Sequence, residues 1–360
     1  MGKVMEVTLM QAKEITRNSW NSTNPSVIIY ISDSGIGKTT MAQALAQEEE
    51  YRYEAIRAAL IDAVELNGIP VSKDGRTIYS APSWVPEWDE KFVLMLDEVN
   101  RGKPDVVQAA FRIAEKRGTD SWKFNPKKHR VIIAINPVGK YNVIPLGLAF
   151  INRATVLYIK IDVKDFLMYA RKKNFNAKII EFISANEKML HVLPKEDDQE
   201  LDVPWASPRS YEQLSDIMEG QDNKLIPTLA TGTIGLEAGA AFIKFINDPD
   251  RPVTVSEILD KKYPKPVSDK FKRHQEKSIH KAFATVMDLS TFINAKDGKV
   301  DLKLVKDFYK SITANEVKTA FIKGLEQGKD TFDKVVAGLD IEQDLLKIGK
   351  DFQELKKKTK

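Results

Sequence analysis

VIIYISDSGIGKTTM, residues 27–41, joins a strand pattern to a helix pattern through a glycine-rich turn. Val27, Ile28, Ile29, Tyr30 and Ile31 make the unbroken apolar run of a buried strand; a small polar turn follows, and Gly37, Lys38 and Thr39 open a segment with helical spacing. Positions 32–39, SDSGIGKT, match G-x-x-x-x-G-K-[ST] except at the first place, where Ser32 stands for glycine. Gly35 and Gly37 allow backbone N–H groups to face an anion, and the helix that follows offers the positive end of its dipole. On this reading Ser34, Gly35, Ile36, Gly37, Lys38, Thr39 and Thr40 surround the phosphates of a nucleoside triphosphate. Lys38 reaches the β and γ phosphates, and the Thr39 hydroxyl ligates Mg²⁺. The alternative is a glycine-rich turn without a ligand, and Ser32 weakens the match because it must take the turn that the first glycine usually takes.

A second apolar run, FVLML at 92–96, delivers Asp97 and Glu98 to a strand end. A continuous run fits a central parallel strand covered on both faces, and open α/β sheets bind ligands beyond the carboxyl ends of such strands. Asp97 would hold the Mg²⁺ shell and Glu98 would orient and polarise an attacking water. A third run, VIIAI at 131–135, places Asn136 at the same edge, where its amide could hold that water or the γ-phosphate; an Asn before Pro137 can also simply make a turn.

Composition bounds the rest. At 360 residues, 42% hydrophobic and 29% charged, the chain has room for two or three domains of ordinary soluble character. No run of about 18 apolar residues suggests a membrane span. The chain has no cysteine, which excludes disulfides, thiolate metal sites and cysteine nucleophiles; together with an N-terminus lacking a signal-like apolar stretch, this leads to a cytoplasmic expectation. Glu6 stands where N-myristoylation expects Ser or Thr. A net charge of +4 does not by itself argue for nucleic acid, and the basic run at 356–360 reads as a solvated tail. The four histidines lack metal-ligand spacing.

Taken in order, Thr8 caps a helix to about residue 18, and a further strand is expected at 55–61. Residues 71–88 read as a hairpin or ordered loop whose Tyr79, Trp84 and Trp88 pack or, less simply, contact a partner. A helix starts at Pro104, a hairpin is expected at 121–126, a short helix at 146–152 and a strand at 155–161. Strand patterns stop after Asp162, so the expected domains are a nucleotide-binding α/β domain (1–162), a helical lid (163–247) and a C-terminal helical extension (248–360). Helices are expected at 163–172, 177–190, from Ser207-Pro208 onward, at 234–246, 271–293 and 302–312, with an acidic loop at 195–202.

These motifs in this order resemble the AAA+ ATPases and, within them, the MoxR-like branch. The resemblance covers about residues 25–245 and rests on SDSGIGKTT (32–40), FVLMLDEVNR (92–101), VIIAINP (131–137), PLGLAFINRA (145–154) and SPRSYEQL (207–214). It implies a parallel P-loop sheet with flanking helices and a helical lid. By the same likeness, Asn136 looks like sensor 1, Arg209 like sensor 2 in the lid, and Arg153 like an arginine finger offered to the neighbouring subunit, with Arg101 as the second candidate. A guanidinium stays charged and suits stabilisation of a γ-phosphate. The family further implies a homo-oligomeric ring, commonly a hexamer, chaperone-like remodelling of proteins, and often a partner with a von Willebrand factor A domain. Two other readings remain open on the same fold. A DNA or RNA motor is motivated by the Lys-rich stretch 261–281, and a nucleotide-gated scaffold without turnover by Ser32.

Overall fold

The apolar runs become the strands of one parallel sheet. The computed structural model describes residues 5–119, 122–138, 143–194, 203–222, 224–259, 265–328, 332–339 and 341, and divides the chain into two units, Met1–Asp162 and Val163–Lys360. In the first unit the order is β1 (Glu6–Val7), α1 (Leu9–Trp20), β2 (Val27–Ile31), α2 (Lys38–Glu48), β3 (Arg52–Arg57), α3 (Ala63–Asn67), β4 (Ile69–Lys73), β5 (Arg76–Ser80), β6 (Phe92–Asp97), α4 (Pro104–Lys116), β7 (His129–Ile135), α5 (Leu148–Ile151) and β8 (Ala154–Ile159). Strand order in the six-stranded sheet is β1-β8-β2-β7-β6-β3, and all its pairings are parallel.

Alternation along the strands builds two cores. Ile28, Tyr30, Val93, Met95, Ile132 and Ala134 pack with Ala12, Trp20 and Leu45 of α1 and α2. Ile29, Leu94, Leu96, Val131 and Ile133 face the other way, against Val106, Ala110 and Ile113 of α4. Burial on both faces is why β2, β6 and β7 read as unbroken apolar runs. The consequence for the site is geometric: β2, β7 and β6 are neighbours, so Ser32, Asn136 and Asp97 emerge at one edge of the sheet.

Several boundaries differ from expectation. The strand expected at 55–61 is β3 at Arg52–Arg57, and Ala58–Leu60 is a 3-10 turn. β3 pairs on one side alone, as an edge strand, and so lacks the continuous apolar signature. The hairpin in 71–88 is β4–β5, turned at Asp74-Gly75 with φ of +52° and +71°, the backbone that an Asp-Gly pair accommodates. Every residue of both hairpin strands is exposed. Of the three aromatics, Trp84 packs edge-on against Trp122 at 5.1 Å and donates to the Glu65 carbonyl at 2.9 Å, whereas Tyr79 and Trp88 are exposed. β1 is too short to show a pattern in the sequence.

The second unit is helical: α6 (Val163–Lys172), α7 (Ala177–Ala185), α8 (Pro208–Met218), α9 (Ile226–Asn247), α10 (Val255–Ile258), α11 (Lys265–Lys277), α12 (Ile279–Ala295), α13 (Leu302–Lys310), α14 (Asn315–Glu326) and α15 (Phe332–Leu339). The helix expected at 177–190 ends at Ala185, and a 3-10 turn takes Glu187–Leu190. The one expected at 271–293 is two, broken at Ser278, whose φ of −149° and ψ of 57° leave the helical region. Arg171 of α6 and Asp288 of α12 form a buried ion pair. The acidic loop 195–202, Ser121 of the expected 121–126 hairpin, the N-terminal Met1-Gly2 and the basic run 356–360 lie outside the described residues.

α9 starts earlier than the expected 234–246 and kinks at Gly235, φ +81°. A Cβ there would lie 2.5 Å from the Pro204 carbonyl oxygen. By length and composition α9 is the one helix among the described residues apolar enough to cross a membrane; its Ile226, Ala230, Ile234, Ala238 and Phe242 are buried in the protein. Gly235→Ala is expected to cost more than about 1 kcal/mol, from the left-handed backbone and the close approach together, and to lower the urea midpoint at constant slope. An unchanged midpoint would contradict the contact.

Candidate nucleotide site

The loop between β2 and α2 has the backbone that the sequence anticipates. Gly35 and Gly37 have φ of +77° and +101°, and Gly37 caps α2 without a side-chain hydrogen bond, which leaves its first N–H groups to face outward. Ser32 departs from expectation. It is absent from the positive-φ residues, so its position makes no demand that only glycine meets. Its side chain instead accepts from Lys38: the buried Lys38 ammonium donates to Ser32 Oγ at 3.0 Å, to the Ser32 carbonyl at 3.1 Å and to the Asp33 carbonyl at 3.0 Å. A buried ammonium needs such acceptors, because desolvation without them is costly. Ile36 is buried under the loop in the α1/α2 core, while Ser34 is half-buried and Thr40 is exposed.

Across the sheet edge, the Thr39 hydroxyl donates to Asp97 Oδ2 at 2.7 Å. The other oxygen, Oδ1, accepts from the Glu98 N–H at 2.9 Å. Both carboxylate oxygens are therefore oriented, and Thr39 and Asp97 stand together although 58 positions apart in the chain. Tyr53 of β3 donates to the Thr39 carbonyl at 3.3 Å; burial, with the Asp97 charge second, holds its phenol well above the usual range, so it stays a neutral donor.

Glu98 has φ of +53°, an uncommon conformation for a side chain of this size and one found often at functional turns. It starts a 3-10 turn, Val99–Arg101, and Arg101 Nη1 approaches Glu98 Oε1 at 3.5 Å. Arg101, read in the sequence as a contact between subunits, here lies against the glutamate of its own chain. Asn136 is 2% exposed, and its amide Nδ2 has no hydrogen-bond partner among the described residues. An unsatisfied buried donor is destabilising unless a ligand completes it.

Arg153 follows α5, is exposed, and pairs through Nε with Glu115 of α4 at 3.2 Å. Arg209 is the second residue of α8 in the other unit, exposed, behind Ser207, whose hydroxyl accepts from the Ser210 N–H. Asn100 lies within the stretch 92–101 that carries the resemblance, but the sequence assigns it no role. Its position there gives no more than a polar residue two places after Glu98, whereas in the structure it is buried against Asn136.

Residues 29–154 match the family model of the AAA domain (dynein-related subfamily). The first unit is thus similar to an AAA domain over most of its length. Its fold is the P-loop parallel sheet described above. Comparison with curated proteins returns no match. Among solved structures, a candidate ATPase from Cytophaga hutchinsonii is 20% identical over 47% of this chain and 52% of that chain, with a TM-score of 0.36. This chain thus spans about half of that relative's length. The RuvB Holliday junction branch migration motor of Thermotoga maritima is 13% identical over 88% of this chain and 86% of that chain, TM-score 0.34. NtrX from Brucella abortus is 16% identical over 91% and 69%, TM-score 0.38.

Proposed function

We propose that this chain is a Mg²⁺-dependent ATPase of the AAA+ class, MoxR-like in its motifs, that works as a ring and remodels a protein partner. The observation that carries the reading is the Thr39–Asp97 hydrogen bond at 2.7 Å, with Glu98 next to it and the unpartnered Asn136 amide at the same sheet edge. One hydroxyl and one carboxylate so placed suit a small hard cation that keeps most of its waters. Bound there, Mg²⁺ would neutralise charge on the β and γ phosphates.

The protein's own groups supply the rest. Lys38 would exchange the Ser32 hydroxyl and the Ser32 and Asp33 carbonyls for phosphate oxygens. Glu98 would accept hydrogen bonding, and in the transition state a proton, from a water whose oxygen bonds to the γ-phosphorus. The bond from that phosphorus to the β–γ bridging oxygen breaks and ADP leaves. Asn136 would donate to the water or to a γ-phosphate oxygen.

The ring reading draws on Arg153, which is exposed and preceded in the chain by the exposed apolar side chains of Val138, Ile144 and Leu148. The exposed β4–β5 hairpin, with Ile69, Val71, Ile78 and Tyr79 in the open, favours a protein client over nucleic acid. A von Willebrand factor A partner remains part of this reading through the resemblance alone. Arg153→Ala is expected to lose about tenfold or more in turnover with nucleotide affinity unchanged, the signature of a charge that acts in the transition state. Mixing it with Lys38→Ala subunits should restore part of the activity, because each supplies what the other lacks. Wild-type turnover in Arg153→Ala would end the finger assignment, and DNA stimulation that falls steeply with salt would promote the nucleic-acid motor instead.

A further inference from the structure

Asn100 is 1% exposed and makes two hydrogen bonds to one residue: its Nδ2 donates to the Asn136 carbonyl at 2.8 Å, and its Oδ1 accepts from the Asn136 N–H at 3.2 Å. One carboxamide thus satisfies both main-chain groups of Asn136, and a single amide orientation allows it. The β6–β7 ladder has its last pair at Leu96 and Ile133, so Asn136 lies beyond it. The Asn100 side chain there stands in for the peptide that an adjoining strand would present. Its main-chain carbonyl also accepts from the Ile144 N–H at 2.8 Å, which anchors the segment leading to α5 and Arg153. Glu98 is two residues away on the same turn.

We infer that Asn100 is the positioning residue of the γ-phosphate site. By clamping the Asn136 backbone it fixes where the unpartnered Asn136 amide points, and it locks that amide in register with Glu98. The inference rests on the ATPase reading. A rigid link is what such a site needs, because a donor misplaced by about 1 Å costs around a hundredfold in rate. The clamp keeps the amide poised without a ligand, so the cost of an unsatisfied donor is carried by the fold and relieved on binding.

The test uses the full chain and compares wild type, Asn100→Ala, Asn136→Ala and the double variant for turnover and for equilibrium affinity towards ATPγS and ADP. Asn100→Ala is expected to lose about tenfold or more in kcat while its ADP affinity moves less than about threefold. Its preference for ATPγS over ADP should fall to that of Asn136→Ala, and the double variant should be no worse than Asn136→Ala alone, since both changes remove one interaction. Asn100→Asp, which keeps size and the acceptor for the Asn136 N–H but cannot donate to its carbonyl, should shift in the same direction if Asn100→Ala does not fold. Additive losses in the double variant, or an unchanged ATPγS preference in Asn100→Ala, would mean that Asn100 merely supports the turn. A wild-type protein without turnover would sink the hydrolysis reading, while the ATPγS-to-ADP ratio, which needs no turnover, would still decide for Asn100.

Discussion

Glu98→Gln is expected to bind ATP with nearly wild-type affinity and to turn it over about a hundredfold or more slowly, the loss expected when a positioned proton acceptor is removed. The amide has the size of the carboxylate and the same backbone, so the left-handed turn at φ +53° and the Glu98 N–H to Asp97 Oδ1 hydrogen bond should both persist. What is lost is the ability to accept a proton. The Arg101 contact weakens as well, but at 3.5 Å and with Arg101 48% exposed it adds little to stability. Phosphate release and nucleotide binding measured on the same preparation check this. Turnover within a few-fold of wild type would remove Glu98 from the chemistry and leave the nucleotide-gated scaffold as the better reading.

Lys38→Ala is expected to weaken ATP binding by about a hundredfold or more, because a buried ammonium facing phosphate makes charge-assisted bonds of about 1.5–3 kcal/mol each. Lys38 is only 8% exposed and already desolvated, so its cost of leaving water is met before nucleotide arrives. Titration with a fluorescent ATP analogue reads the effect. The fold should survive, since the oxygens that Lys38 leaves, Ser32 Oγ and two main-chain carbonyls, border a loop open to water through its half-buried residues. ATP affinity unchanged in a folded Lys38→Ala protein would refute the phosphate-binding reading of residues 32–39.

The Ser32 departure shows where one-dimensional reading stops. In the sequence it is a missing glycine and hence a weakness. In the structure no positive φ is required there, and the hydroxyl becomes an acceptor for Lys38. The hairpin aromatics make the same point: Trp84 is packed and Trp88 is exposed, and nothing in their neighbouring residues distinguishes them. At the α9 kink the Pro204 carbonyl lies against Gly235, a contact 31 positions distant that helical periodicity does not encode.

Short-range physics accounts for the features legible in the chain alone. Unbroken apolar runs specified β2, β6 and β7, glycine and lysine spacing specified the phosphate loop, and acids or amides directly after the runs specified which side chains leave the sheet edge. What only the tertiary structure decided is who meets whom. Strand order brings Thr39 against Asp97, and the turn after β6 folds Asn100 onto the backbone of Asn136. Those contacts join residues 58 and 36 positions apart. Local propensity cannot register them, because the free energy that selects them comes from closing the sheet and burying both its faces, not from any window of the chain.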